Sequence, residues 1–258
     1  MPGKRHMTHI TSANNPRLRS LRRLRDKRER ERSQSFLVEG EDLIAAAEAA
    51  GARMLAGYRL AGSGIGGEGF IDVEAAPLRS AGVLSSGARV IGVYEQRWSA
   101  PSGPLCVYLH GVSDPGNVGA VLRSAEAFAA SCVALGAGCA DPYSPKAVRA
   151  SMGAIFSVPV ARVRDLDELP GERVALSPDG SELLDAAVGD AGPGREVTIL
   201  VGAERAGLPQ ALLARCERRA RIPIATHSLN AAMAATIALY ELSRVSSQGQ
   251  PSSRVRAR

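Results

Sequence analysis

Leu105-Cys106-Val107-Tyr108-Leu109-His110-Gly111-Val112-Ser113-Asp114-Pro115-Gly116-Asn117-Val118-Gly119 runs from an apolar stretch through a polar, glycine-bearing turn into a helical pattern. The first five residues predict a strand, Asp114, Pro115 and Asn117 suit turn and cap positions, and Val118 to Phe128 predicts a helix. The same alternation continues downstream. Strands are predicted at Ser131–Leu135, near Ile155–Val160, at Val174–Ser177 and at Glu196–Val201, with an extended piece at Arg221–Ile224. Helices are predicted at Lys146–Met152, Ser181–Ala187, Leu208–Arg215 and Leu229–Val245. Strands separated by helical crossovers imply a parallel sheet covered on both faces, with ligands beyond the carboxyl ends of the strands.

Upstream the rhythm is shorter. Phe36–Glu39, Arg53–Leu60, Gly69–Val73 and Ala88–Val93 read as short strands, and Glu41–Ala50 and Pro77–Leu84 as helices, which describes a small α/β module. Gln96 to Pro104, with Pro101, Gly103 and Pro104, is the natural linker. Residues 1–15 are expected to be disordered. Pro16 to Arg32 is expected to form one helix, with Leu18, Leu21 and Leu24 as an apolar line and its cationic face outward.

Charge supports a polyanionic partner. Lys and Arg total 32 against 26 Asp and Glu, a net charge of +6. Residues 1–32 hold eleven Lys and Arg against three acids, Asp26, Glu29 and Glu31. Arg244, Arg254, Arg256 and Arg258 add a basic end, so an incoming polyanion is expected to meet the termini first. Cys106, Cys132, Cys139 and Cys216 lack metal-site spacing and fit a reducing cytoplasm, and no metal is expected. No apolar run reaches membrane-spanning length, and the charged start is not a secretory signal.

Two further loops follow predicted strands. In Val201-Gly202-Ala203-Glu204-Arg205-Ala206-Gly207-Leu208-Pro209, two glycines allow close backbone approach and Glu204 sets an acid at the strand mouth. In Ile222-Pro223-Ile224-Ala225-Thr226-His227-Ser228-Leu229-Asn230, Ser228 and Asn230 stand at a helix entrance, where plain capping is the competing explanation and His227 is a packed residue or lines a site. Arg123, among Val121, Leu122, Ala125 and Phe128, calls for a carboxylate, a phosphate or a catalytic task, a structural ion pair being the alternative. Other classes fare poorly. Gly64-Ile65-Gly66-Gly67-Glu68-Gly69 has dinucleotide-loop spacing but precedes a strand, no Gly-Lys-Ser/Thr phosphate loop occurs, and nothing resembles a hydrolase triad. An aromatic content of 4% disfavours broad base-stacking platforms.

These three stretches, in this order and separation, resemble the motifs of the SpoU/TrmH family of RNA ribose 2′-O-methyltransferases. The first is similar in Asp114-Pro115-Gly116-Asn117-Val118-Gly119 leading to Arg123-Ser124-Ala125, and the second in Gly202-Ala203-Glu204 with Gly207-Leu208. The third is similar in Ile222-Pro223 with Ser228-Leu229-Asn230, closing on Leu239-Tyr240-Glu241, and Pro145-Lys146 with Arg149-Ala150-Ser151-Met152-Gly153-Ala154 fits the interval. Residues 34–96 resemble, more loosely, the ribosomal-protein-like RNA-binding domain that often precedes the catalytic domain.

The resemblance implies an α/β protein with a knotted parallel-sheet methyltransferase domain at 104–245. Before it come a basic tail and helix at 1–33, an α/β RNA-binding domain at 34–96 and a linker at 97–103; a flexible basic tail follows at 246–258. S-adenosylmethionine is the implied donor, held by Leu176, Ser177, Pro178, Val201, Gly202, Gly207, Ile222, Ile224, Ser228 and Leu229. Arg123, Asn117, Glu204, Ser228 and Asn230 are the implied catalytic residues, with Arg123 activating the ribose hydroxyl or orienting a phosphate. Arg17, Arg19, Arg22, Arg23, Lys146 and Arg149 are expected to contact RNA. The partners expected are structured RNA, ribosomal in preference to transfer RNA, and a second copy of the chain through the C-terminal domain. The alternatives are a transfer-RNA enzyme, a non-catalytic RNA-binding or assembly factor, or a donor-dependent enzyme acting on a base or small molecule.

Overall fold

The computed structural model describes residues 9–83, 87–189, 195–226 and 228–248. It divides into two compact units, one built from the chain up to residue 97 together with Asp141–Ser157, the other from Trp98–Ala140 and the chain from Val158 onward.

The first unit begins with α1 (Pro16–Arg23), started by the side chain of Asn15, which accepts the Arg17 N–H, and by Pro16 at its first turn. The single helix expected to Arg32 is instead two, because Asp26 caps a second helix, α2 (Lys27–Ser33), by accepting the Arg28 N–H. Arg30 reaches back into the break and donates to the Leu24 and Arg25 carbonyls, groups freed where α1 ends. The expected cationic surface is therefore partly folded inward: Arg30 is buried and ion-paired with Asp141 at 2.7 Å.

There follow β1 (Ser35–Glu39), α3 (Glu41–Ala49), β2 (Met54–Leu60), β3 (Phe70–Val73), α4 (Ala75–Ala81) and β4 (Val90–Glu95). The sheet has order β1-β4-β2-β3, with β1 and β2 antiparallel to β4, and β3 parallel to β2. Leu18, Leu21 and Leu24 join Leu37, Tyr58, Val73 and Ile91 in its core. Residues 9–15, expected to be disordered, are ordered: buried Ile10 bridges to Val73 and exchanges backbone hydrogen bonds with Asp72 and Glu74, since a β-branched apolar residue can extend this sheet edge. Residues 1–8 and the C-terminal arginines from Arg254 lie outside the described residues.

The second unit supplies β5 (Leu105–Leu109), α5 (Pro115–Ala127) and β6 (Cys132–Leu135). The chain then contributes α6 (Pro145–Ser151) and α7 (Ala154–Ser157) to the first unit. This segment, which lies inside the 104–245 stretch in sequence, packs with the first unit. The basis of this packing is aromatic and ionic: Tyr143 and Phe156 pack on Phe36 at 4.8 and 5.9 Å, and Asp141 receives Arg30. It also explains why the expected strand near Ile155 is a helix, with Phe156 directed to the cluster containing Tyr94.

The second unit resumes with β7 (Val160–Arg162), a 3-10 turn at Leu166–Glu168, β8 (Glu172–Leu176), β9 (Glu182–Leu183), α8 (Leu184–Gly189), β10 (Val197–Val201), α9 (Gln210–Leu213), β11 (Arg218–Arg221) and α10 (Ala231–Gln248). Its seven strands lie in the order β7-β6-β5-β10-β8-β11-β9, every pairing parallel. β10 is buried at all five positions and aligns Ile199 with Val107 and Val174, the continuous apolar run of a strand covered on both faces. The linker is partly absorbed, since Ser99 bridges to Ala161. Among the described residues no helix is long and apolar enough to cross a membrane.

Candidate active site

From β5 the chain moves outward to β6 and β7, then returns to place β8, β10 and β11 on the other side. Such a reversal leaves a crevice beyond the strand ends. Three loops leave β8, β10 and β11 there and enclose a cavity of ≈ 310 Å³. Leu176, Ser177, Pro178, Val201, Gly202, Gly207, Ile222, Ile224, Ser228 and Leu229 all line it, with Glu204.

Backbone crowding explains the glycines of the middle loop. A Cβ on Gly202 would stand 2.2 Å from the Gly207 carbonyl carbon, and Gly207 itself has φ +62°. The Gly207 N–H donates to the Ala203 carbonyl at 2.9 Å, so the loop doubles back and directs Glu204 and Arg205 to the cavity wall. The loop after β8 is a tight turn closed by the Gly180 N–H on the Ser177 carbonyl, and Arg221 donates to the Gly180 carbonyl.

Side chains join the three sequence stretches. Asn117, on the first turn of α5, donates from Nδ2 to Glu204 Oε1. Asn230 donates from Nδ2 to Asn117 Oδ1 at 3.0 Å, and its own Oδ1 accepts the Ala232 and Met233 N–H groups at the start of α10. A carboxylate only accepts and a backbone N–H only donates, so both ends of this relay fix which way the two amides face. About two turns further on, Ser124 and Thr236 share a hydroxyl hydrogen bond of 2.6 Å between α5 and α10.

Arg123 is exposed, with no hydrogen-bond or ion-pair partner among the described residues, so the structural ion pair considered for it is absent there. Ser228 is exposed at the cavity, and Thr226 donates to its carbonyl. His110 leaves β5 with Nδ1 3.1 Å from the Tyr108 hydroxyl, and burial pushes its imidazole below the usual histidine range. His227 lies outside the described residues.

The RNA-contact candidates belong to the first unit. Arg17, Arg19 and Arg23 are exposed on α1, whereas Arg22 donates to the Ala13 carbonyl and to Ser80. Lys146 and Arg149 are exposed on α6. Sequence reading gave no role at the cavity to Asp179 or Gln210, which adjoin predicted site stretches, or to Arg205, which lies inside one. Thr236 was also missed, because a threonine inside an alanine-rich helix carries no motif signal. Among the described residues no group of three or more His, Cys, Asp and Glu is placed to hold a metal ion.

An α/β switch-point cavity braced by an acid–amide relay, in a chain that also holds a small mixed-sheet module, defines a two-unit α/β protein with a ligand site at its strand ends. Residues 104–240 match the SpoU rRNA Methylase family and residues 15–60 match the MRM3-like substrate binding domain. The chain belongs to the SpoU rRNA methylase family, with an N-terminal substrate-binding domain and a C-terminal methylase domain.

An AdoMet-bound rRNA methyltransferase from Sinorhizobium meliloti is 30% identical, with 92% of this chain and 97% of that chain covered and a TM-score of 0.81. The SpoU methyltransferase AviRb from Streptomyces viridochromogenes, in complex with AdoMet, is 27% identical, with 92% and 100% covered and a TM-score of 0.79. The 23S rRNA (guanosine(2553)-2'-O)-methyltransferase RlmP of Bacillus subtilis is 29% identical, with 92% and 99% covered.

Proposed function

We propose that the protein transfers the methyl group of S-adenosylmethionine to a ribose 2′-hydroxyl of structured RNA, and that the RNA is ribosomal rather than transfer RNA. The observation that carries this reading is the relay from Glu204 through Asn117 to Asn230, which ties the first motif to a cavity walled by the second and third motifs and the loop after β8. Relatives spanning nearly the full chain, an AdoMet-bound rRNA methyltransferase and a 23S rRNA ribose methyltransferase among them, support the donor and the ribosomal target.

The cavity suits the donor on its own chemistry. Its volume is in the range of small-ligand sites. Leu176, Val201, Ile222 and Leu229 offer apolar walls for an adenine, and glycine-bearing backbone offers close polar contact. The carboxylates of Asp179 and Glu204 complement a cationic ligand. When bound there, the donor would supply a methyl group on a sulfonium, whose sulfur departs as a neutral thioether and needs no proton to leave.

The chain's own residues then supply position and charge. Asn117 and Asn230 hold the entrances of α5 and α10 together, which sets the base of the helix that carries Arg123. A guanidinium is a fixed cation that donates and does not accept, so Arg123 acts by holding an RNA phosphate or the developing alkoxide, and the hydroxyl proton passes to an oxygen of that phosphate and on to water. Glu204, with one oxygen engaged by Asn117, keeps the amide direction fixed.

Threading of the C-terminal segment into a knot is part of this reading on the strength of the family match over residues 104–240. Pairing of two copies through the C-terminal unit is supported by exposed Met233 and Tyr240, two turns apart on one face of α10. An RNA substrate and four free cysteines suit the cytoplasm.

The test is methyl transfer from labelled donor to unmodified ribosomal and transfer RNA pools by the wild type, Asn117→Ala and Arg123→Ala. We expect label in ribosomal RNA as an alkali-resistant dinucleotide, and a loss of about 100-fold in kcat for each variant with donor affinity within about threefold. Label confined to transfer RNA refutes the substrate assignment. A folded protein that fails to bind the donor refutes the enzymatic one.

A further inference from the structure

The first unit contains a second cavity, of ≈ 230 Å³, outside the methyl-transfer machinery. Its floor is apolar: Leu37 from β1, Leu43 from α3 and Val148 from α6 are all buried. Pro145 closes one side, and Val83, 44% exposed, forms the opposite wall. The polar lining holds two cations, Lys146 and Arg149, one turn apart on α6, and one acid, Glu39, whose carboxylate is engaged by the Val83 N–H.

The Val83 wall is held from two directions. Glu39 accepts the Val83 N–H, and Arg25 donates to three successive carbonyls, those of Ser80, Ala81 and Gly82. An arginine and a glutamate thus brace a short apolar wall whose outward face borders the cavity. The slot exists before any ligand arrives, which lowers the ordering cost of filling it.

The geometry points to a slot for one unstacked nucleobase of the RNA substrate, held between aliphatic side chains, with the attached phosphate on Arg149 and Lys146. Sequence-specific RNA recognition depends on bases splayed out of a helix, and apolar side chains can sandwich the faces of such a base. The slot is too small for a drug-sized ligand but suits a single planar ring system. Its cations complement the sugar-phosphate chain that must follow the base in. Leu37, Glu39 and Leu43 fall within the residues that match a substrate-binding domain. The proposal rests on action on RNA and adds a recognition subsite in the N-terminal unit.

The test uses the full chain with methyl-labelled leucine and valine, titrated separately with AMP, GMP, CMP, UMP and base-free ribose 5-phosphate, followed by NMR. We expect at least one nucleotide to shift the Leu37, Leu43, Val83 and Val148 methyls by ring current, ribose 5-phosphate to leave them in place, and Arg149→Ala to weaken the effect about fivefold. Val83→Trp, at an exposed position, should abolish these shifts and raise KM for ribosomal RNA about tenfold with kcat and S-adenosylhomocysteine affinity unchanged. Methyls that no nucleotide shifts, or that ribose 5-phosphate shifts equally, overturn the slot. Protein that methylates ribosomal RNA while its slot methyls stay still refutes the slot alone, whereas protein that neither binds donor nor labels RNA refutes the functional reading.

Discussion

Tyr94 sits 1% exposed among aromatic rings, and its hydroxyl has no hydrogen-bond partner among the described residues. Burial, with Glu48 nearby, pushes the phenol up to about 12. An unsatisfied buried hydroxyl costs about 1–3 kcal/mol, while the ring's contacts with Phe36 and Phe156 do not depend on it. Tyr94→Phe should therefore raise Tm by about 2–4 °C. A fall in Tm on thermal denaturation would mean that the oxygen is bonded in solution. Arg30 illustrates the opposite case. Its sequence neighbourhood, with Arg28 and Arg32, reads as a solvated cationic face, but its partner Asp141 is 111 positions away, a distance no local pattern encodes. The acid–amide relay was legible only in its parts: the sequence named Asn117, Glu204 and Asn230, and folding alone set which amide donates to which.

Among elements, the start of β8, the 3-10 turn at Leu166–Glu168 and the approach to β11 are tied by a chain of ion pairs. Arg173 donates to Glu217 and Asp167, and Arg215 donates to Asp165 and Asp167. Hydrogen bonds from Arg173 hold the Glu217 carboxyl down to about 2, against an ordinary 4.5, and Arg215 likewise lowers Asp165. A depressed folded-state pKa means stability that is complete above the unfolded value and lost as pH falls through the folded one. The urea midpoint should decline between about pH 5 and pH 2, and Glu217→Gln should lower it at pH 7 while flattening that decline. An unchanged acid profile in the variant would show the network to be energetically idle, as exposed pairs often are. Parallel strands and their helices were legible because buried strands give long apolar runs with turn residues between them. Phe156 shows the limit: an Ile-Phe pair reads equally as strand or as buried helix, and the aromatic cluster of Phe36 and Tyr94, distant in sequence but in the same unit, decides.

At the scale of the whole molecule, charge was easy to count and hard to place. The arginines from Arg17 to Arg32 read as one polyanion-binding face, yet Arg22, Arg25 and Arg30 spend their guanidinium groups on carbonyls and on Asp141. Arg17, Arg19 and Arg23 stay exposed. The two sets should separate by experiment. RNA affinity falls with salt in proportion to the phosphates neutralised, at about 0.7–0.9 per contact in a log–log plot. Replacing Arg17, Arg19 and Arg23 together with Ala should reduce that slope by about two, weaken binding similarly for every RNA sequence, and leave Tm unchanged within about 2 °C. Arg30→Ala should do the reverse, leaving Asp141 buried without its cation and lowering Tm by several degrees with little change in slope. Equal salt slopes for the wild type and the triple variant would mean that RNA reaches this enzyme by another surface, with the N-terminal arginines serving the fold and solubility alone.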